Sequence, residues 1–342
     1  MNNYLSLVIF IISIQLFGQT EYVIKGFSEK YSGLLTIEKG YENDVFKKGK
    51  IRIINSQTKK ELIVVNSDEF TFNLDSNGEV KTNISELPYG EQSILIYQDF
   101  NFDGKKDLAI MDGQNSCYHG PSFNIYIEGE KTLEFNAEFT RLAQEYCGMF
   151  QTNSETNTIT TMTKSGCCWH QFSTFKVIDN TPKLMLQIEE DATNTPYYTT
   201  TTTTWEGNKS QQHIEKTIDF TEDGISEVFA FKLNKNQKKV IVFNINNRVL
   251  NYALLRTDET VEFAYPITFA YQNNDFTLNT SQDTLTFKNN DATYKIYNIN
   301  ATNSGILVKT KGKTYNLKAS KHSISGGISD IKSLNLDNVI NE

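Results

Sequence analysis

Short runs of apolar or alternating residues recur along this chain at strand length, and almost none has the 3.6-residue period of a helix. Leu34–Ile37, Ile51–Ile54, Leu62–Val65, Phe70–Leu74, Ile94–Tyr97 and Phe123–Ile127 are the early ones. Thr174–Ile178, Leu184–Ile188, Val240–Phe243, Leu285–Phe287, Thr293–Tyr297 and Ile306–Lys309 follow. β-Branched and aromatic residues fill them, and these suit a pleated, half-buried surface. Turn-forming clusters separate them: Asp75-Ser76-Asn77-Gly78, Asn289-Asn290-Asp291, and Lys311-Gly312, which reads as a hairpin turn. The fold class expected is all-β, and the spacing leaves sandwich, barrel and propeller open. One helix is expected at Phe139–Tyr146, with Thr140 as its N-cap. The threonine run Thr199–Thr204 reads as a strand with one solvated face.

The chain is expected to be exported. Leu5–Phe17 is apolar but only about 13 residues, roughly 20 Å of helix, short of a bilayer core. Residues 1–19 therefore read as a signal peptide, although no Lys or Arg precedes the apolar run. No Cys follows it as a lipid attachment point, and no later segment is apolar enough to span a membrane. The expected location is periplasmic or secreted. With 41 acids against 33 bases the net charge is −8, and no basic patch with interleaved aromatics argues for nucleic acid. The four cysteines, Cys117, Cys147, Cys167 and Cys168, are an even number in an exported chain and read as two disulfides. Three pairings exist. A Cys167–Cys168 bond closes a strained eight-membered ring, so pairing of each with Cys117 or Cys147 is favoured. Adjacent strand residues point to opposite faces and so reach different neighbours. A metal site of these cysteines with His119 and His170 lacks any CxxC spacing.

The sharpest chemical motif is Asp99-Phe100-Asn101-Phe102-Asp103-Gly104-Lys105-Lys106-Asp107. Asp99, Asn101, Asp103 and Asp107 place oxygen donors at the first, third, fifth and ninth positions of an EF-hand-type loop, and the Lys105 carbonyl can fill the seventh. Gly104 permits the sharp turn. Three carboxylates in so short a span repel one another unless a hard cation such as Ca2+ holds them. Ile110 stands where an EF-hand has its bidentate Glu, so another segment or water must complete the shell. A weaker echo uses Asp219, Thr221, Asp223 and Glu227, with Glu222 added among the acids. It reads as a degraded second loop or a solvated turn.

No HExxH, G-x-S-x-G or phosphate-binding loop occurs. Cys167-Cys168-Trp169-His170 offers a thiol near a base, but oxidised cysteines are the better reading in an exported chain. Glu189-Glu190-Asp191 offers carboxylates, yet glycoside hydrolases set such pairs across a cleft, not along one strand end. Tyr197-Tyr198 and Phe263-Ala264-Tyr265 are aromatic surfaces that core packing also explains. The chain does not read as an enzyme.

Tyr97–Gly104, Asp107–Ile110 and Gly120-Pro121-Ser122-Phe123-Asn124-Ile125-Tyr126, with Cys147–Phe150 and Lys164–His170, resemble bacterial periplasmic lysozyme inhibitors. The resemblance is specific over roughly residues 90–180 and follows a looser pattern over 25–255. It implies a β-propeller-like fold, a calcium site in an incomplete EF-hand loop, and a lysozyme-like toxin or hydrolase as partner. It carries over Asp99, Asn101, Asp103 and Asp107 as ligands and no inhibitory residue. The expected organisation is a signal at 1–19, a propeller-like domain at 20–255 and a C-terminal β extension at 256–342. An acidic inhibitor would meet basic lysozymes faster at low salt. Two rival expectations are a carbohydrate-binding or adhesion module with a structural calcium, and a hydrolase whose motif is not evident.

Overall fold

The computed structural model describes residues 19–86, 90–266, 274–300 and 303–342; the apolar run Leu5–Phe17 lies outside them. The chain is all-β and propeller-like: its strands fold as antiparallel meanders, the unit from which a propeller blade is made. No helix of the described residues is long and apolar enough to cross a membrane. The chain divides into two compact units, residues 1–164 with 172–186, and residues 165–171 with 187–342. The boundary expected at 255/256 therefore falls inside the second unit.

In the first unit, β1 (Thr20–Ile24), β2 (Tyr31–Ile37), β3 (Lys47–Asn55) and β4 (Glu61–Phe70) form one four-stranded sheet in chain order. β5 (Leu95–Gln98), β6 (Asp107–Ser116), β7 (Gly120–Glu128) and β8 (Leu133–Phe135) form the next. α1 (Ala137–Leu142) follows, then β9 (Gln151–Asn153), β10 (Thr158–Ser165), β11 (Trp169–Ile178) and the start of β12 (Thr181–Asn194). Strand β3 alternates buried and half-buried residues, as its Ile51 and Ile53 predict. Strand β6 is different: Asp107 to Met111 are all buried, the mark of a strand covered on both faces. Ile24, Leu35, Ile51, Ile94, Phe100, Leu108, Phe123 and Phe139 share one core. Burying a side chain such as Phe100 contributes about 1.5–3 kcal/mol.

In the second unit the rest of β12 is followed by β13 (Tyr197–Glu206) and β14 (Lys209–Ile218), paired in register from Tyr197–Ile218 to Glu206–Lys209. β15 (Ile225–Lys232), β16 (Lys239–Ile245), β17 (Val249–Leu255) and β18 (Val261–Tyr265) form a meander. So do β19 (Phe276–Asn279), β20 (Thr284–Asn289), β21 (Ala292–Asn300), β22 (Asn303–Thr310) and β23 (Lys313–Lys318). The last strands return to close both: β24 (Ser325–Gly326) pairs with β15, and β25 (Val339–Asn341), after α2 (Ile328–Ile331), runs parallel to β19. Val240, Tyr252, Phe276, Phe287, Ile296 and Ile331 fill a core drawn from both meanders. Residues before and after 255 thus share one core, which is why the tail is not a separate extension. The Phe263-Ala264-Tyr265 aromatics belong to it, for Phe263 and Tyr265 stack on Tyr294 and Phe287 at 5.4 and 4.7 Å.

Three local expectations are corrected. The helix begins earlier, at Ala137, because Asn136 and not Thr140 is the N-cap: the Asn136 Oδ1 accepts from the Glu138 and Phe139 amides. The Thr140 hydroxyl is buried and accepts from the Ile125 amide instead. Phe70–Leu74 is strand only at Phe70; Leu74 joins an isolated bridge to Val80 across the Asp75–Gly78 turn. The cysteines pair Cys117 with Cys147 and Cys167 with Cys168, against the favoured arrangement. That arrangement rested on the strain of an eight-membered ring and on strand alternation; Gly166, Cys167 and Cys168 form the turn between β10 and β11, where alternation does not apply and the vicinal ring closes.

Candidate functional site: an acidic loop and a stapled turn

The Asp99–Asp107 loop joins β5 to β6 within one sheet, so its ends are fixed by strand pairing from Gln98–Asp107 inward. Its carboxylates fold the loop by accepting backbone amides. Asp99 accepts from Phe102 (2.7 Å) and Gly104 (2.9 Å), Asn101 from Asp103 (3.2 Å), and Asp103 from Lys105 (2.8 Å). Gly104 sits at φ 84°, a conformation that glycine adopts without steric cost. Asn101 also donates to the Asn180 side chain at 2.8 Å.

Asp107 is the anchor. It is fully buried, and its two oxygens accept from the Phe100 amide (2.7 Å) and the Glu128 amide (2.8 Å). Burial pushes its carboxyl up to about 6; the two amide donors oppose that, and the nearby Asp99 and Asp103 charges add to it. The anchoring continues through Glu128, whose carboxylate accepts from the Tyr31 hydroxyl at 2.6 Å and the Lys30 ammonium at 2.5 Å. Burial, then the Glu128 carboxylate, raises the Tyr31 phenol to about 12, and the bond to Glu128 raises Lys30. The loop is therefore tied into the core on its Asp107 side and open on its Asp103 side.

Among the described residues no three of His, Cys, Asp or Glu gather closely enough to hold a metal by themselves. A cation here would need the Asn101 amide oxygen and the Lys105 carbonyl beside the carboxylates. That donor set is all oxygen, which suits calcium and excludes a soft metal. The second acidic turn differs at its first and ninth residues. Asp219 accepts from the Thr221 amide and hydroxyl, which lowers its pKa, and Glu227 pairs with Lys239 at 3.2 Å on the neighbouring strand. Gly224 at φ 82° completes the turn beside Asp223, between strands of different sheets.

The other built feature lies at the end of β6. Cys117–His119 is a tight turn in which Tyr118 (φ 54°) and His119 (φ 58°) are left-handed, a conformation costly for such residues. The Cys117–Cys147 disulfide, Cα atoms 4.8 Å apart, staples it to the segment after α1. The Gly148 amide donates to Ser116 Oγ at 3.1 Å beside the staple. Tyr118 is presented outward, 64% exposed, with the Lys164 ammonium 4.8 Å from its ring centre. His119 packs edge-on against Phe46 and meets Glu69 at 3.3 Å. A cavity of about 210 Å³ flanks Tyr118, lined by Gln92, Pro121 and Lys164, and a polar one of about 470 Å³ is lined by Asp68, Glu69, Asp112 and Asn115. Sequence reading missed this turn; its only signal was an aromatic and a histidine directly after a paired cysteine.

All four cysteines are paired, so in this oxidised form no thiol is free beside His170. Glu189, Glu190 and Asp191 lie within β12 and not after a strand; Asp191 accepts from the Thr193 hydroxyl and amide, which keep its carboxyl low.

No protein-family model matches the sequence, and no curated protein matches it. Among solved structures, a Xanthomonas type IV secretion system related protein is similar with a TM-score of 0.45 and 18% identity, over 56% of this chain and 92% of that one. A prolyl endopeptidase is similar at 0.25 and 6% identity, over 90% of this chain and 43% of that one. The β-propeller domain of the trilobed protease from Pyrococcus furiosus is similar at 0.24 and 9%, over 88% and 86%. All three scores are below 0.5, too low for any of these proteins to lend its activity to this chain.

Proposed function

We propose that this is an exported, calcium-stabilised protein that binds and inhibits a lysozyme-type peptidoglycan hydrolase or toxin. The observation that carries the reading is the stapled turn. A protein inhibitor needs a surface whose shape is fixed before contact, because ordering a loop on binding subtracts from affinity. Tyr118 and His119 are held in a left-handed turn by the Cys117–Cys147 bond, with an aromatic ring facing outward and a cation beside it. Tyrosine is enriched among the few residues that dominate protein interfaces. Glycoside hydrolases present paired carboxylates in their clefts, which an aromatic–cation pair complements. The acidic loop, tied through Asp107 and Glu128 to the core, is the calcium clip of the same sheet.

A second reading is a carbohydrate-binding module, favoured by the polar cavity of about 470 Å³ lined by Asp68, Glu69, Asp112 and Asn115. One experiment separates the two. The mature protein is titrated into chicken-type, goose-type and bacterial lysozymes with calcium and with chelator, and tested for binding to soluble peptidoglycan fragments. Stoichiometric inhibition of one enzyme, lost in Tyr118→Ala at unchanged melting temperature, supports the inhibitor. No inhibition, with saccharide binding lost in Asp112→Asn, supports the module and removes the first reading.

A further inference from the structure

The two disulfides sit in opposite settings. Cys117 and Cys147 are 30 residues apart, and Cys147 is 6% exposed. Such a bond closes a long loop, so it restricts the denatured chain; its Cys147 half is buried, and Cys117 is half-buried beside the cavity next to Tyr118. Cys167 and Cys168 are neighbours, with Cα atoms 3.7 Å apart. Their bond closes no chain loop, so it removes almost no denatured-state entropy. It lies in the turn between β10 and β11, entered through Gly166 at φ 65°, and Cys167 is exposed. The turn has its own tie, since the Cys168 carbonyl accepts from the Ala192 amide at 2.7 Å. The backbone thus keeps the two sulfurs adjacent with or without the bond between them. A cross-link with no loop to stabilise, open to solvent and set where its halves stay together, has the setting of an exchangeable disulfide.

We propose that Cys167–Cys168 is a thiol–disulfide exchange site whose reaction partner is a dithiol. One thiolate of the partner attacks Cys167 Sγ. A sulfur–sulfur bond forms to it as the Cys167–Cys168 bond breaks, and the electron pair leaves on Cys168 Sγ, which takes a proton from solvent. The partner's second thiolate then attacks its own sulfur in the mixed disulfide. Cys167 leaves and is protonated, and the partner closes its own disulfide. Two electrons and two protons pass from the partner to the pair; an oxidised partner runs the sequence backwards. Attack falls on Cys167, because it is the more exposed residue of the two, Cys168 being half-buried.

The test is graded dithiothreitol on the folded, full chain without denaturant, quenched with iodoacetamide and read by peptide mass. Expected is alkylation of Cys167 and Cys168 at least about tenfold faster than of Cys117 and Cys147. Equal rates, earlier opening of Cys117–Cys147, or no labelling until the chain unfolds would overturn the proposal. A Cys167→Ser/Cys168→Ser variant is expected to melt with wild type and to consume no dithiol before unfolding. Continued consumption by that variant would place the exchange elsewhere and refute it.

Discussion

The two acidic turns share a spelling, Asp-Phe-x-x-Asp-Gly, and part company at the ninth residue. In the first loop that residue is Asp107, fully buried, with both oxygens on backbone amides of two different segments. In the second it is Glu227, paired to Lys239 at the surface. The first loop joins two strands of one sheet, which hold its ends in register; the second joins strands of different sheets. A carboxylate at the right spacing becomes an anchor only when the fold buries it and both of its oxygens find donors. Sequence spacing sets where oxygens fall along the chain, and burial decides which of them are held.

The largest expected effect is at that ninth residue. Asp107→Ala strands the buried Phe100 and Glu128 amides, at about 1–3 kcal/mol for each lost acceptor. A loss of about 2–5 kcal/mol by urea denaturation is expected, against none beyond about 0.5 kcal/mol for Glu227→Ala. Equal losses in the two variants would erase the distinction between the loops. Next is calcium itself. At a concentration one-hundredfold above its dissociation constant, calcium adds about 2.7 kcal/mol of stability. Chelator should lower the melting temperature of wild type and of Asp223→Ala alike, and leave Asp103→Ala unmoved. A chelator response that survives Asp103→Ala would move the cation out of the first loop.

How far the sequence reaches is clear from these same elements. Strand positions were readable wherever one face was buried, as in β3, because alternation is a direct image of the pleat. The Lys311-Gly312 hairpin was readable too, since Gly312 (φ 73°) takes the left-handed turn position that glycine favours and carries Lys311 (φ 46°) with it. The acidic loop's turn at Gly104 was legible from its spelling, but the role of Asp107 as a core anchor was not. That role depends on Glu128, Tyr31 and Lys30, which are remote in sequence. The vicinal disulfide was not legible because ring strain and strand alternation both argued against it, and neither shows that the two cysteines lie in a turn. The shared core of residues before and after 255 is likewise a long-range fact, set by Tyr252 and Phe263 packing on Phe287 and Tyr294. Tyr118 was passed over because nothing local marks a residue as exposed and left-handed.

Smaller effects sharpen the comparison. Gly104→Ala forces a side chain into φ 84° and is expected to cost about 1–2 kcal/mol, read as a denaturation midpoint shift. A Cβ there meets open space, so the fold tolerates it and calcium binding weakens only slightly. A complete loss of fold would mean the turn is packed more tightly than its geometry indicates. The smallest change is Glu227→Gln, which removes a surface ion pair and should shift stability by about 0–0.5 kcal/mol.

Calorimetric titration of calcium into the metal-stripped mature protein, beside Asp103→Ala and Asp223→Ala, tests the contrast most directly. The account predicts one bound ion in wild type and in Asp223→Ala, and none in Asp103→Ala. No binding in wild type, or binding abolished by Asp223→Ala and kept in Asp103→Ala, would contradict it.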